Sequence, residues 1–206
     1  YIFLLAAVAS VADTIARPLE THEINQNANL NILETIRIKK LDVKKVLFTS
    51  SAAVYGNNPQ LPKEEISPIE PLSPYAIDKF ATEKFVVDYG KLYNIPTVCT
   101  RFFNVYGPKQ NPESPYSGVL SLICEAAQNN LPFTVFGDGT QTRDFVYIDD
   151  VVQALLILAG TNKFRATVYN VATGVPTSLN EVIHKLQQIS QSNFKITYMP
   201  SRKGDI

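Results

Sequence analysis

The feature that most constrains this chain is an alternation of short apolar runs with longer stretches of helical periodicity. Tyr1-Ile2-Phe3-Leu4-Leu5, Val46-Leu47-Phe48-Thr49, residues 95–101 and residues 168–172 read as four buried strands. Between the first two, Ile24, Ala28, Ile32 and Ile36 recur at helical spacing, which predicts one amphipathic helix over about 20–40. A proline-rich, acidic loop at 57–71 follows. Ser73 and Pro74 then supply an N-cap and a first-turn proline for a helix running to about 92. An irregular segment leads to Pro115, and a helix is expected over about 119–129. Asp149 or Asp150 caps the next helix, with Val152, Leu155, Leu156 and Ala159 on one face. Ser178 and Glu181 form a capping-box pattern before a helix that points Leu179, Val182, Ile183, Leu186 and Ile189 inward. Strands and helices in this order imply an α/β fold, a parallel sheet covered by helices on both faces. Ligands of such sheets bind beyond the carboxyl ends of the strands.

Charge narrows the range of partners. The 206 residues carry 19 basic and 19 acidic side chains, so no global field favours nucleic acid or an anionic membrane, and any anion site is local. Cys99 and Cys124 each stand alone among apolar residues, the pattern of buried thiols; no metal site is expected. The opening run is apolar but has neither a basic leader nor the length of a spanning helix, and the protein reads as cytoplasmic.

Chemistry gathers at the predicted strand ends. Ser50, Ser51, Ala52, Ala53, Val54, Tyr55 and Gly56 follow the second strand, and Phe102, Phe103 and Asn104 follow the third. The helix starting at Ser73 carries Tyr75 and Lys79 four residues apart, on one face. A tyrosine of pKa near ~10 has to fall by roughly 3 pH units to ionise appreciably at neutral pH, about 4 kcal/mol. A lysine cation about 5 Å away, at an effective dielectric of about 20, contributes roughly 3 kcal/mol. Such a phenolate accepts a proton from a sugar hydroxyl as its carbon loses hydride, with Ser51 hydrogen-bonding the same oxygen. Alone, the Tyr75 and Lys79 spacing is weak evidence, because tyrosine and lysine fall four apart on many solvated helices.

Wider context carries more weight. Residues 49–56 (Thr-Ser-Ser-Ala-Ala-Val-Tyr-Gly) and 71–79 (Pro-Leu-Ser-Pro-Tyr-Ala-Ile-Asp-Lys) resemble the extended short-chain dehydrogenase/reductase family of NAD-dependent nucleotide-sugar epimerases and dehydratases. Further marks in the same order are Asn25 to Asn31 with Glu34, residues 101–108, residues 137–145 and Arg202-Lys203-Gly204-Asp205. The resemblance implies a Rossmann-like sheet, with Ser51, Tyr75 and Lys79 as the catalytic set, Tyr75 as base and Lys79 also gripping the nicotinamide ribose. By the same resemblance Ala6, Ala7, Ser50 and Phe102 border the cofactor. Asn25 matches an asparagine that supports the active site; as a residue it equally suits the satisfaction of a helix kink. Asn104 matches a side chain at the nucleotide-sugar phosphates. Arg143 and Arg202 match guanidinium groups on the diphosphate, as charge and planarity favour; two surface arginines are the plainer reading. Gly118 and Val119 fall where the family's backbone meets the sugar or uracil, and Phe136 packs near the base.

Within this family the two residues after the catalytic serine separate reactions. Sugar 4,6-dehydratases carry an acidic pair there, whereas this chain has Ala52 and Ala53, so the resemblance implies 4-epimerisation of a UDP-hexose or UDP-N-acetylhexosamine through a 4-keto sugar, with a nucleotide-sugar 4,6-dehydratase or another oxidoreductase of the family as the alternative. The family's Gly-x-x-Gly-x-x-Gly turn and its ribose-reading acid are absent, so the fold is expected to lack its first strands. Leu4 stands in place of a common histidine, and Ala28 and Asn29 in place of Gly-Thr. Residues 1–107 are expected to form the later part of the NAD-binding domain. Residues 108–206 are expected to belong mostly to the substrate region, with strand 168–172 and a nearby helix returning to the sheet. Family members commonly dimerise through the helices predicted here at 20–40 and 75–92. A non-catalytic fragment or pseudoenzyme that serves as a binding or dimerisation module is the alternative of another class.

Overall fold

A computed structural model describes residues 1–114, 118–161 and 165–200. Contacts divide the described residues into two units, Tyr1–Phe102 with Asp150–Val171, and Phe103–Asp149 with residues 172–200.

The first unit is built on a parallel sheet of β1 (Ile2–Leu4), β2 (Val46–Ser51), β3 (Thr97–Phe102) and β7 (Val168–Val171), in the order β1-β2-β3-β7. β2 and β3 are buried almost throughout, including polar Thr49, Ser50, Thr97, Thr100 and Arg101 beside their apolar residues. β1 is different: Leu4 is its buried residue, while Phe3 and the flanking Tyr1 and Leu5 are exposed, because among the described residues this strand pairs with β2 alone. On one face Leu4, Val46, Phe48 and Cys99 pack against Leu33 and Ile36 of α3 (Ala28–Ile38) and Val86 and Val87 of α4 (Pro74–Tyr93).

The single helix expected over 20–40 is in fact two helical pieces joined by a wide turn and preceded by a further short helix. α1 (Val11–Ala16) and α2 (Pro18–His22) lead into a π-helical turn at Glu23–Asn27, which continues into α3. Most of the expected stripe faces away from the core: Ile24, Ala28 and Ile32 are exposed, and Ile36 is its one buried member. Thr21, Asn25, Gln26, Asn29 and Leu33 are buried too. The polar members of this face are tolerable because Thr21, Asn25 and Asn29 all hydrogen-bond to main chain.

α4 begins as expected, with the Ser73 Oγ accepting from the Ala76 N–H at 3.2 Å and Pro74 in the first turn. It ends on Asn94 in the left-handed conformation. α6 (Ile148–Gly160) starts one residue before Asp149, so Asp149 and Asp150 lie inside its first turn rather than capping it. Its buried residues are Val151, Leu155 and Leu158, while Val152 and Leu156 of the expected face are exposed.

The second unit contains β4 (Asn104–Tyr106), β6 (Thr142–Tyr147) and β8 (Pro176–Ser178) as one sheet, and β5 (Phe133–Phe136) with β9 (Ile196–Met199) as another. α5 (Val119–Asn129) and α7 (Leu179–Ser190) sandwich a core of Ile123, Val135, Val182, Ile183 and Phe194. The capping box of Ser178 and Glu181 opens α7. Ile189, expected inward, is exposed at its last turn.

Candidate active site

Ser51 ends β2 and opens a single 3-10 turn, Ala52–Tyr55, with its Oγ accepting from the Ala53 N–H at 3.2 Å. Tyr75 sits in the first turn of α4, and Lys79 one turn further along the same face. The helix lies against β2, which brings the three side chains together. Lys79 Nζ donates to the Thr49 carbonyl at 2.7 Å and sits 5.0 Å from the centre of the Phe48 ring and 5.8 Å from that of Tyr75. The Ser51 side chain lies beside Tyr75 and favours its ionised form.

The electrostatics differ from the expectation that Lys79 pulls the phenol down. Burial raises Tyr75 above its ordinary value, and the neighbouring Ser51 side chain brings it only partly back. Burial also lowers Lys79 to about 8, because an ammonium enclosed by aromatic rings has lost its water. The Lys79 ammonium is held by a carbonyl of β2.

Asn25 occupies the π turn, fully buried. Its Oδ1 accepts from the Val8 N–H at 2.7 Å and its Nδ2 donates to the Val8 carbonyl at 3.1 Å. That grip fixes the segment after β1, where Ala6 is exposed and Ala7 half-buried. Ser50 is buried, and its hydroxyl has no hydrogen-bond partner among the described residues. Phe102 is the register partner of Ser51.

In the second unit Asn104 is exposed on β4, opposite Phe145 of β6, and Arg143 stands two residues earlier on β6 with its Nη1 donating to the Thr142 carbonyl at 2.9 Å. Asp144 beside it holds the following loop: Oδ1 accepts from the Thr173 N–H and hydroxyl, both at 2.8 Å, and Oδ2 from the Gly174 N–H at 2.6 Å. Gly118 is the N-cap of α5 and Val119 its first residue. Phe136 lines a groove of about 340 Å³ with Leu122, Ala126, Leu131, Phe133 and Thr134. Arg202 lies outside the described residues. Sequence reasoning passes over the buried polar groups around Tyr55 and Glu83, because charged and hydroxyl side chains give no sign of burial in a single sequence. Among the described residues no cluster of His, Cys, Asp and Glu is suited to a metal ion, and no helix is long and apolar enough to cross a membrane.

The chain is similar over its whole length to UDP-glucose 4-epimerase of Mycolicibacterium smegmatis, with 35% identity, and spans 64% of that protein. Its fold matches the structure of UDP-N-acetylglucosamine 4-epimerase from Methanobrevibacter ruminantium in complex with UDP-N-acetylmuramic acid, at a TM-score of 0.94 and 35% identity, covering all of this chain and 65% of the other. A UDP-glucose 4-epimerase from Thermotoga maritima, solved with UDP-glucose, matches at a TM-score of 0.93 and 36% identity, again over all of this chain and 66% of the other. The sequence profile of one family matches residues 1–172, a span that holds the parallel sheet, the Ser51 turn and the first turns of α4. With sequence and fold in agreement, the chain belongs to the NAD dependent epimerase/dehydratase family.

Proposed function

We propose that the whole protein to which this chain belongs is a UDP-sugar 4-epimerase, acting on a UDP-hexose or UDP-N-acetylhexosamine. The observation that carries this reading is the convergence of Ser51, Tyr75 and Lys79 beside a turn whose next two residues are Ala52 and Ala53. Elimination of water needs an acid and a base at the sugar, and neither alanine supplies one.

NAD is the cofactor of this family, and the residues present fit its nicotinamide-ribose half. Lys79 has three N–H groups, of which one is engaged by the Thr49 carbonyl. The unpartnered Ser50 hydroxyl adds a buried polar atom on the adjoining strand. The chain holds no glycine-rich turn for the pyrophosphate. Bound NAD supplies hydride acceptance and return at the sugar C4, and in its oxidised form a positive charge.

In this reading Tyr75 takes the C4 hydroxyl proton and later returns it, Ser51 hydrogen-bonds the same oxygen, and Lys79 holds the ribose. Burial keeps Tyr75 protonated, so its role as base depends on added positive charge close to the phenol. Asn104, Arg143 and Arg202 are proposed at the diphosphate, Gly118 and Val119 at the sugar or uracil, and Phe136 at the base. Exposed Ile24 and Ile32, with Ile77, Phe85 and Leu92 on α4, support a homodimer through α3 and α4. Light scattering on the protein measures that mass directly.

A product assay on the whole protein with UDP-glucose and UDP-N-acetylglucosamine tests the reaction. Interconversion with the C4 epimers is expected; accumulation of a 4-keto-6-deoxy sugar would overturn it.

A further inference from the structure

A buried polar network runs behind the Ser51 turn. Arg101 and Glu83 are 4% and 2% exposed and pair twice, Nε to Oε2 at 3.0 Å and Nη2 to Oε1 at 2.6 Å. Arg101 Nη1 also donates to the Tyr55 hydroxyl at 2.8 Å and to the Glu65 carbonyl at 3.1 Å, and the guanidinium lies 4.8 Å from the centre of the Tyr55 ring. The Tyr55 hydroxyl donates in turn to Asn170 Oδ1 at 2.7 Å. Asn170 Nδ2 donates to the Lys63 carbonyl at 3.0 Å and its N–H to the Glu65 carboxylate at 2.7 Å.

Each member is a short step of chain from the proposed site. Tyr55 closes the turn that starts after Ser51. Glu83 stands one helical turn beyond Lys79 on α4. Arg101 precedes Phe102, which is paired in register with Ser51. An apolar filling of equal volume would avoid the desolvation of two ions and hold the core together at least as well. What it would lack is direction. Two N–H···O bonds from one guanidinium, and a hydroxyl that accepts on one side and donates on the other, set the rotation of α4 and the path of the turn together.

From this geometry we infer that Tyr55 is a positioning residue: held by Arg101 and Asn170, it fixes the turn that presents the Ser51 hydroxyl to Tyr75. The inference rests on the reading of Ser51 and Tyr75 as the proton-handling pair of an epimerase. Tyr55 acts through Ser51, since its hydroxyl is already engaged by Arg101 and Asn170 and its ring is enclosed.

The test is Tyr55→Phe in the whole protein. Displacing a catalytic group while leaving the binding residues untouched is expected to lower kcat about tenfold and to keep KM for the UDP-sugar within about twofold. Amide exchange, followed residue by residue, is expected to rise at Ala53 and Gly56, whose N–H groups close the turn, while α4 and β3 keep their protection. Asn170→Ala, which removes the acceptor and spares the ring, is expected to shift both readings the same way and decides the question if Tyr55→Phe does not fold. Unchanged exchange at Ala53 and Gly56 overturns the inference, as does loss of protection spread over α4 and β3, or an active variant with unaltered kcat. If the unsubstituted protein converts no UDP-sugar, the epimerase reading falls, and the exchange pattern still decides whether Tyr55 sets the turn.

Discussion

Asn25 grips Val8 by both sides of its backbone, accepting from the N–H at 2.7 Å and donating to the carbonyl at 3.1 Å, and so ties the π turn to the segment after β1. Replacing it with alanine deletes two bonds and strands the Val8 groups in a half-buried setting. Asn25→Ala is expected to cost about 2–4 kcal/mol in urea unfolding. A loss below about 1 kcal/mol would mean that Val8 finds other partners easily.

Lys79 gives a pH dependence whose sign is fixed by its lowered pKa. The unfolded lysine holds its proton up to the ordinary value of 10.5, and the folded one only to about 8, so between these the unfolded state binds more protons. The cost of the buried cation is fully present below about pH 8 and is relieved as pH rises toward 10.5, by about 3 kcal/mol in all. Lys79→Met is therefore expected to unfold with a flatter stability profile between about pH 8 and 9.5 than the unsubstituted chain, measured by urea titration at each pH.

Breaking the Arg101 and Glu83 pair from one side leaves a buried guanidinium without its carboxylate. Glu83→Ala is expected to destabilise by about 3–5 kcal/mol, and the double replacement Glu83→Leu with Arg101→Met to recover at least about half of that. Equal losses in the two variants would show that packing, rather than the stranded charge, sets the cost.

Arg143→Ala tests the proposed diphosphate site without any need for turnover. Deleting a guanidinium that donates charge-assisted hydrogen bonds to a pyrophosphate is expected to weaken UDP binding by about 100-fold, close to 3 kcal/mol by calorimetry, with the melting temperature little changed. Unaltered affinity would leave Arg143 as a surface arginine.

The parts of the fold that sequence reveals are those whose local pattern and final environment agree. β2 opens on a continuous apolar run, Val46-Leu47-Phe48, and is buried on both faces; α4 and α7 carry their caps, Ser73 and Ser178, in plain view. Helical phase departs from the apolar periodicity where the core face is polar. Asn25 and Asn29 point inward because main-chain partners wait there, and no periodicity of apolar residues reports such partners. In α6 all the aliphatic positions look alike, and only packing separates buried Leu155 from exposed Leu156. β4, β5 and β9 are short strands whose existence depends on partners distant in the chain. At the candidate site, spacing alone brings Tyr75 and Lys79 together, but the direction of the lysine is set by the Thr49 carbonyl, which spacing does not encode. The Glu83, Arg101 and Tyr55 cluster is hidden for a related reason, since each member is ordinarily a surface residue.

The π turn at Glu23–Asn27 has a geometric consequence for the helical pieces it joins. With ordinary winding, the inward stripe of Asn29, Leu33 and Ile36 would continue back through Gln26 to His22. The wider turn slips the stripe by one position, so that Thr21 reaches the interior behind Asn25 and His22 is left to meet Asp78 of α4, its Nδ1 2.7 Å from the carboxylate. Removing one residue there would swing everything upstream by about 100° and pull Asn25 off Val8. A single surplus residue thus acts as a gear offset, letting one continuous spiral present Leu33 and Ile36 to the sheet at one end and an amide clamp at the other.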